Sequence, residues 1–147
     1  MYTIIAICFC IVIAVIDIKT FRIPDVLLFS FALVLFFMEK SQPHTLLIAR
    51  ISTALIAFLL FGVVWYYSQG MGFGDVKYAT LLGYLLGPDK LIQAFFYTAL
   101  LSIVVYMLGI ILFRWPKTTK IPFAPFLSAG AILALPINIQ SITGVTE

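Results

Sequence analysis

Long apolar segments separated by short polar turns constrain the fold of this chain more than any other feature. The clearest are Leu46–Tyr67 and Leu91–Phe113, and each reaches the roughly 20 residues that a helix needs to cross a bilayer. Of the 147 residues, 63% are hydrophobic and 10% are charged, whereas soluble domains carry about 25% charged residues. Polar side chains this scarce cannot coat a globule. The sequence therefore predicts an all-α integral membrane protein whose solvent is the lipid bilayer.

Six apolar segments follow one another without a linker, so we predict a single domain over residues 1–147. The expected transmembrane helices are Tyr2–Ile16, Val26–Met38, Leu46–Tyr67, Val76–Leu86, Leu91–Phe113 and a sixth that follows Ile121–Phe126 and ends near Leu135. The first helix ends at Asp17, or extends through Ile18. The fourth is only about 17 Å long as a helix, which predicts tilt, local thinning of the bilayer or burial among its neighbours. A turn is predicted at Gly87-Pro88-Asp89-Lys90.

The basic residues predict an orientation, because cytoplasmic loops carry an excess of Lys and Arg. With six spans, the loops after the first, third and fifth share one side and hold Lys19, Arg22, Lys77, Arg114, Lys117 and Lys120. The other side holds Lys40, Arg50 and Lys90. We therefore predict an inner (plasma) membrane protein with the first set in the cytoplasm and both termini outside. The net charge of +3 is small and scattered, and it gives no basic face for nucleic acid.

The stretch Gly70–Lys77 interrupts the apolar pattern with alternating glycines. Gly70, Gly72 and Gly74 precede Asp75, and glycine in a helix interior is unfavourable because it loses more backbone entropy than other residues. Such glycines suit a chain that turns sharply or lies close to another backbone or to a substrate. We therefore predict a helix break at this motif. Asp75 then occupies the first turn of the next helix, where free N–H groups and the helix dipole favour negative charge.

Asp17 and Asp75 both fall on the predicted cytoplasmic side, each at the start of an Asp-x-Lys triplet. A charged side chain at the centre of a span costs roughly 2.5–3.5 kcal/mol on insertion scales, so acids beside apolar spans need a reason. Two carboxylates in one pocket of low dielectric cannot both ionise easily. The ionised one can act as a base on water while the protonated one polarises a peptide carbonyl. The pair predicts aspartic-protease chemistry, with no metal and no cofactor.

Other charged residues have plain structural interpretations. Asp25 suits a helix cap beside Pro24, and Asp89 suits a turn. Lys19 and Lys77 are either ordinary positive-inside residues or groups that tune the carboxylates or bind a substrate backbone.

The remaining candidate groups offer little chemistry. His44 is expected in a turn on the opposite side of the membrane, and Ser68 has no nearby histidine base to make it a nucleophile. Cys8 and Cys10 are too few and too close for a disulfide framework or a zinc site. Both cysteines are expected to be small buried apolar residues.

Three motifs, in order along the chain, resemble those of the type IV prepilin peptidases. Gly72-Phe73-Gly74-Asp75 is similar to the G-x-G-D signature of intramembrane aspartyl proteases, and the wider stretch Gly70–Lys77 resembles the second catalytic motif of the prepilin peptidases. Asp17–Asp25 resembles their first motif, an Asp followed by a short basic segment and Ile-Pro-Asn or Ile-Pro-Asp. Ile121–Leu127 resembles the start of their last span. A presenilin-type protease would have Tyr before the first Asp, where this chain has Ile16.

The resemblance implies an activity and a set of site residues. These enzymes cleave the short basic leader of pilin-like precursors at the cytoplasmic face, just before the hydrophobic helix of the mature subunit and usually after a glycine. Their catalytic aspartates map onto Asp17 and Asp75. The residues expected to support the motifs or to position the prepilin-like substrate are Lys19, Arg22, Pro24, Asp25, Gly70, Gly72, Gly74, Lys77, Pro122 and Pro125.

Larger members of that family also methylate the new N-terminus, and they carry an additional N-terminal segment with a cysteine-based zinc site. This sequence begins directly at the first apolar segment. It therefore resembles the minimal peptidases of tight-adherence (Tad/Flp) pilus systems or related archaeal and Gram-positive ones, and the resemblance does not extend to methyltransferase activity.

Two other classes of membrane protein could use the same acids. A small ion- or proton-coupled transporter binds its ion with intramembrane carboxylates, and a broken helix suits one. It predicts acids nearer the bilayer midplane and often internal repeats, of which only the two Asp-x-Lys triplets are visible. A non-enzymatic scaffold would use the acids only as helix caps.

Overall fold

The fold was obtained as a computed structural model, which describes residues 2–38, 44–68, 71–113 and 122–135. The described residues form five helices: α1 Tyr2–Thr20, α2 Asp25–Met38, α3 His44–Tyr67, α4 Phe73–Phe113 and α5 Ala124–Ala134. The predicted turn before α3, Gly70, the basic loop before α5 and the C-terminal tail lie wholly or mostly outside these residues. His44 begins α3 instead of lying in the preceding turn.

Three of the helices are long and apolar enough to cross a membrane, namely over Thr3–Thr20, Leu46–Tyr67 and Phe73–Leu112. Two shorter apolar helices accompany them, over Asp25–Phe37 and Ala124–Ala134. Large apolar side chains cover the outer surface of the bundle, as expected where lipid replaces water as the solvent. The prediction of an all-helical membrane protein is confirmed at this level.

Helix α4 contains a sharp break at Gly87, whose backbone angles are φ 72° and ψ 179°. This left-handed φ suits glycine, and Pro88 follows directly, where its missing N–H needs no helical partner. Asp89 and Lys90 are helical, so the predicted four-residue turn is wrong in extent. A single glycine changes the chain direction, and the helix resumes at once.

Contacts with α3 show that the chain folds back at this break. Trp65 packs on Phe73 with ring centroids 5.2 Å apart, and a Cβ added at Gly83 would lie 3.1 Å from the Cα of Ala54. The first part of α4 therefore runs antiparallel to α3. A straight continuation would place Phe95 about 18 Å past Gly83. Phe95 instead packs on Phe61, with centroids 5.1 Å apart, so residues 88–113 return alongside α3.

The helices pack closely where small residues meet. Helix α4 contacts α2, α3 and α5, while α5 also contacts α1. At the crossing of α4 and α5, Gly130 leaves room for the Thr98 side chain and the Ala94 carbonyl. The Thr98 hydroxyl donates to the carbonyl oxygens of Ala94 at 2.7 Å and Phe126 at 3.2 Å. Small residues and interhelical hydrogen bonds of this kind are how helices associate in membranes.

Two expectations about buried residues had different outcomes. Cys10 is buried, but Cys8 is exposed on the outer surface of α1, so the expectation that both are buried is wrong for Cys8. The two residues are separated by two positions, and a helix turns by about 200° over that distance. They therefore lie on nearly opposite faces of α1.

Candidate active site

Most of the site residues predicted from the sequence line one cavity of about 1170 Å³. It lies where the end of α1, the start of α2, the end of α3, the start of α4 and the segment before α5 meet. The predicted residues that line it are Asp17, Arg22, Asp25, Gly72, Gly74, Asp75, Lys77 and Pro122. The three motifs, far apart in sequence, thus form a single site.

Asp17 lies in the last turn of α1, and its side chain is only 5% exposed. The carboxyl end of a helix is an unfavourable place for an acid, because the carbonyl groups there carry partial negative charge. The structure compensates from another helix. The backbone N–H of Ala124, the first residue of α5, donates to Oδ2 of Asp17 at 3.2 Å. Since α5 presents its positive end here, it satisfies the carboxylate.

Asp75 is the third residue of α4 and is 9% exposed. Its N–H donates to the Gly72 carbonyl at 3.1 Å, and a Cβ at Gly72 would lie 3.7 Å from its Oδ2. Asp75 and Asp17 line the same cavity. Among the residues that the structure describes, no three His, Cys, Asp or Glu side chains are grouped as metal ligands.

Gly74 joins the first and second motifs. A Cβ added there would lie 3.3 Å from the Cβ of Ile23 and 3.6 Å from its carbonyl oxygen. Ile23 belongs to the segment between α1 and α2 that carries Arg22 and Pro24. The absence of a side chain at Gly74 therefore lets the start of α4 approach the α1–α2 connection.

We predict that Gly74→Leu abolishes the precursor cleavage that the family resemblance implies, while the bundle still folds. The larger side chain must push Ile23 away, which displaces Asp75, and a misplacement of about 1 Å can cost about 10²-fold in rate. Gly74→Ala, which meets Ile23 at 3.3 Å, should have a smaller effect. The check is the cleavage rate of detergent-purified variants, with folding followed by circular dichroism. Full cleavage by the leucine variant would contradict the prediction.

Lys77 is paired with Asp25, with Nζ 2.6 Å from Oδ1. Its ammonium group also lies 5.3 Å from the centroid of the Phe73 ring. Both charged side chains are substantially exposed, so the pair contributes at most about 1 kcal/mol to stability. The pair links the first and second motifs across the cavity, a role that was not predicted for Lys77 from the sequence. Asp25 is the first residue of α2, and its carboxylate is engaged with Lys77.

The connection between α1 and α2 is held in a defined conformation. Phe21 has a left-handed φ of 51°, and its N–H donates to the Asp17 carbonyl at 2.8 Å, which is an αL helix cap without glycine. The Thr20 hydroxyl bonds to the carbonyls of Ile16 at 2.9 Å and Arg22 at 2.8 Å. This wrapped end presents Phe21 and Arg22 to the cavity.

Some predicted residues do not line the cavity. Lys19 is exposed elsewhere on α1. The carbonyl oxygen of Pro24 accepts hydrogen bonds from the N–H groups of the first turn of α2, and Pro125 lies in the first turn of α5. Gly70 lies outside the described residues. The two prolines shape the helix starts that hold Asp25 and Ala124, so their role here is indirect.

Other lining residues were not predicted. They are Thr20, Phe21, Ile23, Phe61, Val64, Ser68, Met71, Phe73 and Phe123. Most are apolar residues whose sequence context does not distinguish them from lipid-facing ones. Ser68 has a signal in retrospect, because a polar residue ends the apolar α3 next to the glycine motif. Its hydroxyl oxygen is buried and has no hydrogen-bond partner among the described residues.

Comparison with known proteins identifies the family. The profile of the type IV leader peptidase family matches residues 4–108, which include both aspartates. A prepilin leader peptidase/N-methyltransferase from Bacillus subtilis (strain 168) is 32% identical over 125 residues, or 84% of this chain. The chain spans about half the length of that relative, 50%. No solved structure matches this chain. By the family profile and the three motifs that meet at the cavity, the chain belongs to the type IV leader peptidase family.

Proposed function

We propose that this protein is a membrane aspartic endopeptidase that removes the leader peptide from type IV pilin-like precursors. The observation that carries the proposal is that Asp17 and Asp75, on different helices, are both buried and line one cavity. Membership of a leader peptidase family supplies the reaction class. The same membership does not favour the transporter interpretation.

The two carboxylates can divide the work of amide hydrolysis between them. Because like charges in a confined cavity disfavour double ionisation, the pair shares one proton. The ionised carboxylate takes a proton from a water molecule, and the oxygen of that water attacks the scissile carbonyl carbon. The protonated carboxyl group donates a hydrogen bond and then its proton to the carbonyl oxygen. As the tetrahedral intermediate collapses and the C–N bond breaks, the carboxyl group that was protonated by water gives its proton to the leaving amine, and the other carboxylate takes a proton from a hydroxyl group of the intermediate. The cavity of about 1170 Å³ has room for an extended peptide segment and the water.

We further propose six membrane spans, with residues 73–86 and 88–113 of α4 each crossing once. The break at Gly87 and the packing of Phe95 on Phe61 support two antiparallel crossings. A straight helix of 41 residues would be about 60 Å long, twice the thickness of the hydrocarbon core. Six spans put the cavity on the side with more Lys and Arg, which is the cytoplasmic face of the inner membrane under the positive-inside rule.

The substrate would then lie with its apolar helix against the bundle and its scissile bond at the cavity. Arg22, Asp25 and Lys77 line the cavity and carry its charges beyond the two buried acids. The leader of such precursors is short and basic. A basic residue of the leader would therefore replace Lys77 as the ion-pair partner of Asp25.

The test is direct cleavage. The purified protein in detergent or liposomes is incubated with a pilin-like precursor, and the products are identified by mass spectrometry. We expect one cut, between the basic leader and the apolar helix. A precursor that stays intact with the wild-type protein, while the same precursor is processed by another prepilin peptidase, would contradict the proposal or show that a different precursor is the substrate. Testing several precursors separates these outcomes.

A further inference from the structure

A buried polar contact lies beneath the candidate site and takes no part in the proposed chemistry. The hydroxyl groups of Tyr78 on α4 and Ser128 on α5 are 2.7 Å apart and form a hydrogen bond. Tyr78 is 0% exposed and Ser128 is 1% exposed. Cys10 on α1 is also buried and belongs to the same apolar core as Tyr78. The hydrogen bond therefore joins α4 to α5 inside the bundle.

Apolar residues in place of Tyr78 and Ser128 would avoid the free-energy cost of burying two hydroxyl groups. A hydroxyl group buried without a partner costs about 1–3 kcal/mol, so each member of the contact depends on the other. Phenylalanine and alanine would pack in the same space without that dependence. A buried hydrogen bond adds direction, since it is formed at only one rotation and one height of the two helices.

The position of the contact along each helix matches that of the site. Tyr78 lies three residues after Asp75, and Ser128 lies four residues after Ala124, whose N–H binds Asp17. Residues three or four apart share one face of a helix. Cys10 precedes Asp17 by seven residues, or about two turns of α1. The contact thus lies one or two turns below the carboxylates, on the helix faces that carry them.

We propose that the Tyr78–Ser128 hydrogen bond positions the two aspartates for cleavage. It fixes the start of α4 against α5, and α5 in turn holds Asp17 through the Ala124 N–H. Tyr78 and Ser128 are therefore positioning residues, and they touch neither water nor substrate. The expected effect on cleavage rests on the proposed function. The expected effect on the positions of the helices does not.

The kinetic test uses Tyr78→Phe, which removes only the hydroxyl group, together with Ser128→Ala and the double variant. We expect each single variant to lower kcat for precursor cleavage by about 10–100-fold, since small misplacements of catalytic groups have effects of this size. KM should stay within about 2-fold of the wild-type value. The double variant should be no slower than the slower single variant, because both changes break the same bond.

Thr80→Val is the matched control. Its hydroxyl donates to the Val76 carbonyl within α4 at 2.8 Å, a bond inside one helix. This variant loses a hydroxyl from the same helix and should keep its kcat. Unchanged kcat in Tyr78→Phe, or effects of the two single variants that multiply in the double variant, would overturn the proposal.

A second measurement needs no substrate. In a Cys8→Ser background, Phe73→Cys at the start of α4 and Phe123→Cys just before α5, which line the same cavity and leave both aspartates in place, are joined by a short fluorogenic bifunctional thiol-reactive reagent; Cys10 is 0% exposed. We expect Tyr78→Phe to lower the yield of the cross-link several-fold, and Thr80→Val to leave it unchanged. Equal yields would overturn the proposal even if no precursor were cleaved. Where wild-type cleavage fails but the cross-link responds to Tyr78→Phe, the proposed function is wrong and the positioning role stands.

Discussion

Asp75→Asn and Asp17→Asn are each expected to lower kcat for precursor cleavage by about 10²–10⁴-fold, the contribution typical of a group that transfers protons in the transition state. Asparagine keeps the size and the acceptor oxygen of aspartate but cannot exchange the proton. At position 17 it can still accept the hydrogen bond from the Ala124 N–H. The two variants should therefore fold, and the loss should fall on the chemistry.

The measurement is the rate of leader removal under single-turnover conditions, with thermal unfolding in detergent as the test of folding. Asp89→Asn is the matched control, since Asp89 is an exposed acid on α4 outside the cavity lining. It should cleave at the wild-type rate. Asp17→Asn/Asp75→Asn should be little slower than the slower single variant, because the two groups act as a unit. A folded single variant with at least a tenth of wild-type activity would show that its aspartate is not a catalytic group.

The two aspartates could be found from the sequence because their surroundings are apolar. An acid beside a transmembrane segment stands out, and Asp75 stands out more because alternating glycines precede it. The helices could be predicted for the same reason, since apolar runs and turn residues mark their ends. Four of the six predicted segments start or end within a few residues of α1, α2, α3 and α5.

The contacts that hold the site could not be read from the sequence. The N–H of Ala124, which donates to the carboxylate of Asp17, is a backbone group from a distant segment, so no side-chain type in the sequence predicts this hydrogen bond. Likewise, the sequence gives the glycine at position 74 but not that its neighbour is Ile23. Local patterns report which residues are unusual, whereas these contacts depend on how separate helices cross.

The turn at Gly87 illustrates a limit of local reasoning. Gly-Pro-Asp-Lys has the composition of a turn, yet proline and aspartate are also favoured in the first turn of a helix. Once Gly87 adopts its left-handed φ of 72°, the following residues are free to start the next helical segment. Propensity alone does not distinguish these two outcomes, and packing on α3 and α5 selects the second.

Gly130→Ala is expected to destabilise the bundle by about 2–3 kcal/mol, the upper range for overpacking a well-packed core. A Cβ at this position would overlap the Thr98 hydroxyl and the Ala94 carbonyl oxygen, and it would lie 2.9 Å from the Thr98 nitrogen. Two of these three atoms belong to the backbone of α4, so no side-chain rotation can relieve the overlap. Helices α4 and α5 must move apart, which also breaks the Thr98–Phe126 hydrogen bond of 3.2 Å.

Gly62→Ala provides the matched control, since a Cβ at Gly62 would meet no atom of the described residues within 4 Å beyond its chain neighbours and the nearby backbone of α3. The same methyl group there should be neutral or should stabilise α3 by up to about 1 kcal/mol, because alanine favours the helix. Unfolding midpoints in a sodium dodecyl sulfate titration measure both changes. Thr98→Ala combined with Gly130→Ala removes the side-chain overlap and leaves the Ala94 carbonyl, so it should recover only part of the loss. Equal stability of Gly130→Ala and Gly62→Ala would mean that α4 and α5 do not cross at this glycine. The position of α5, and with it the Ala124 N–H on Asp17, would then need revision.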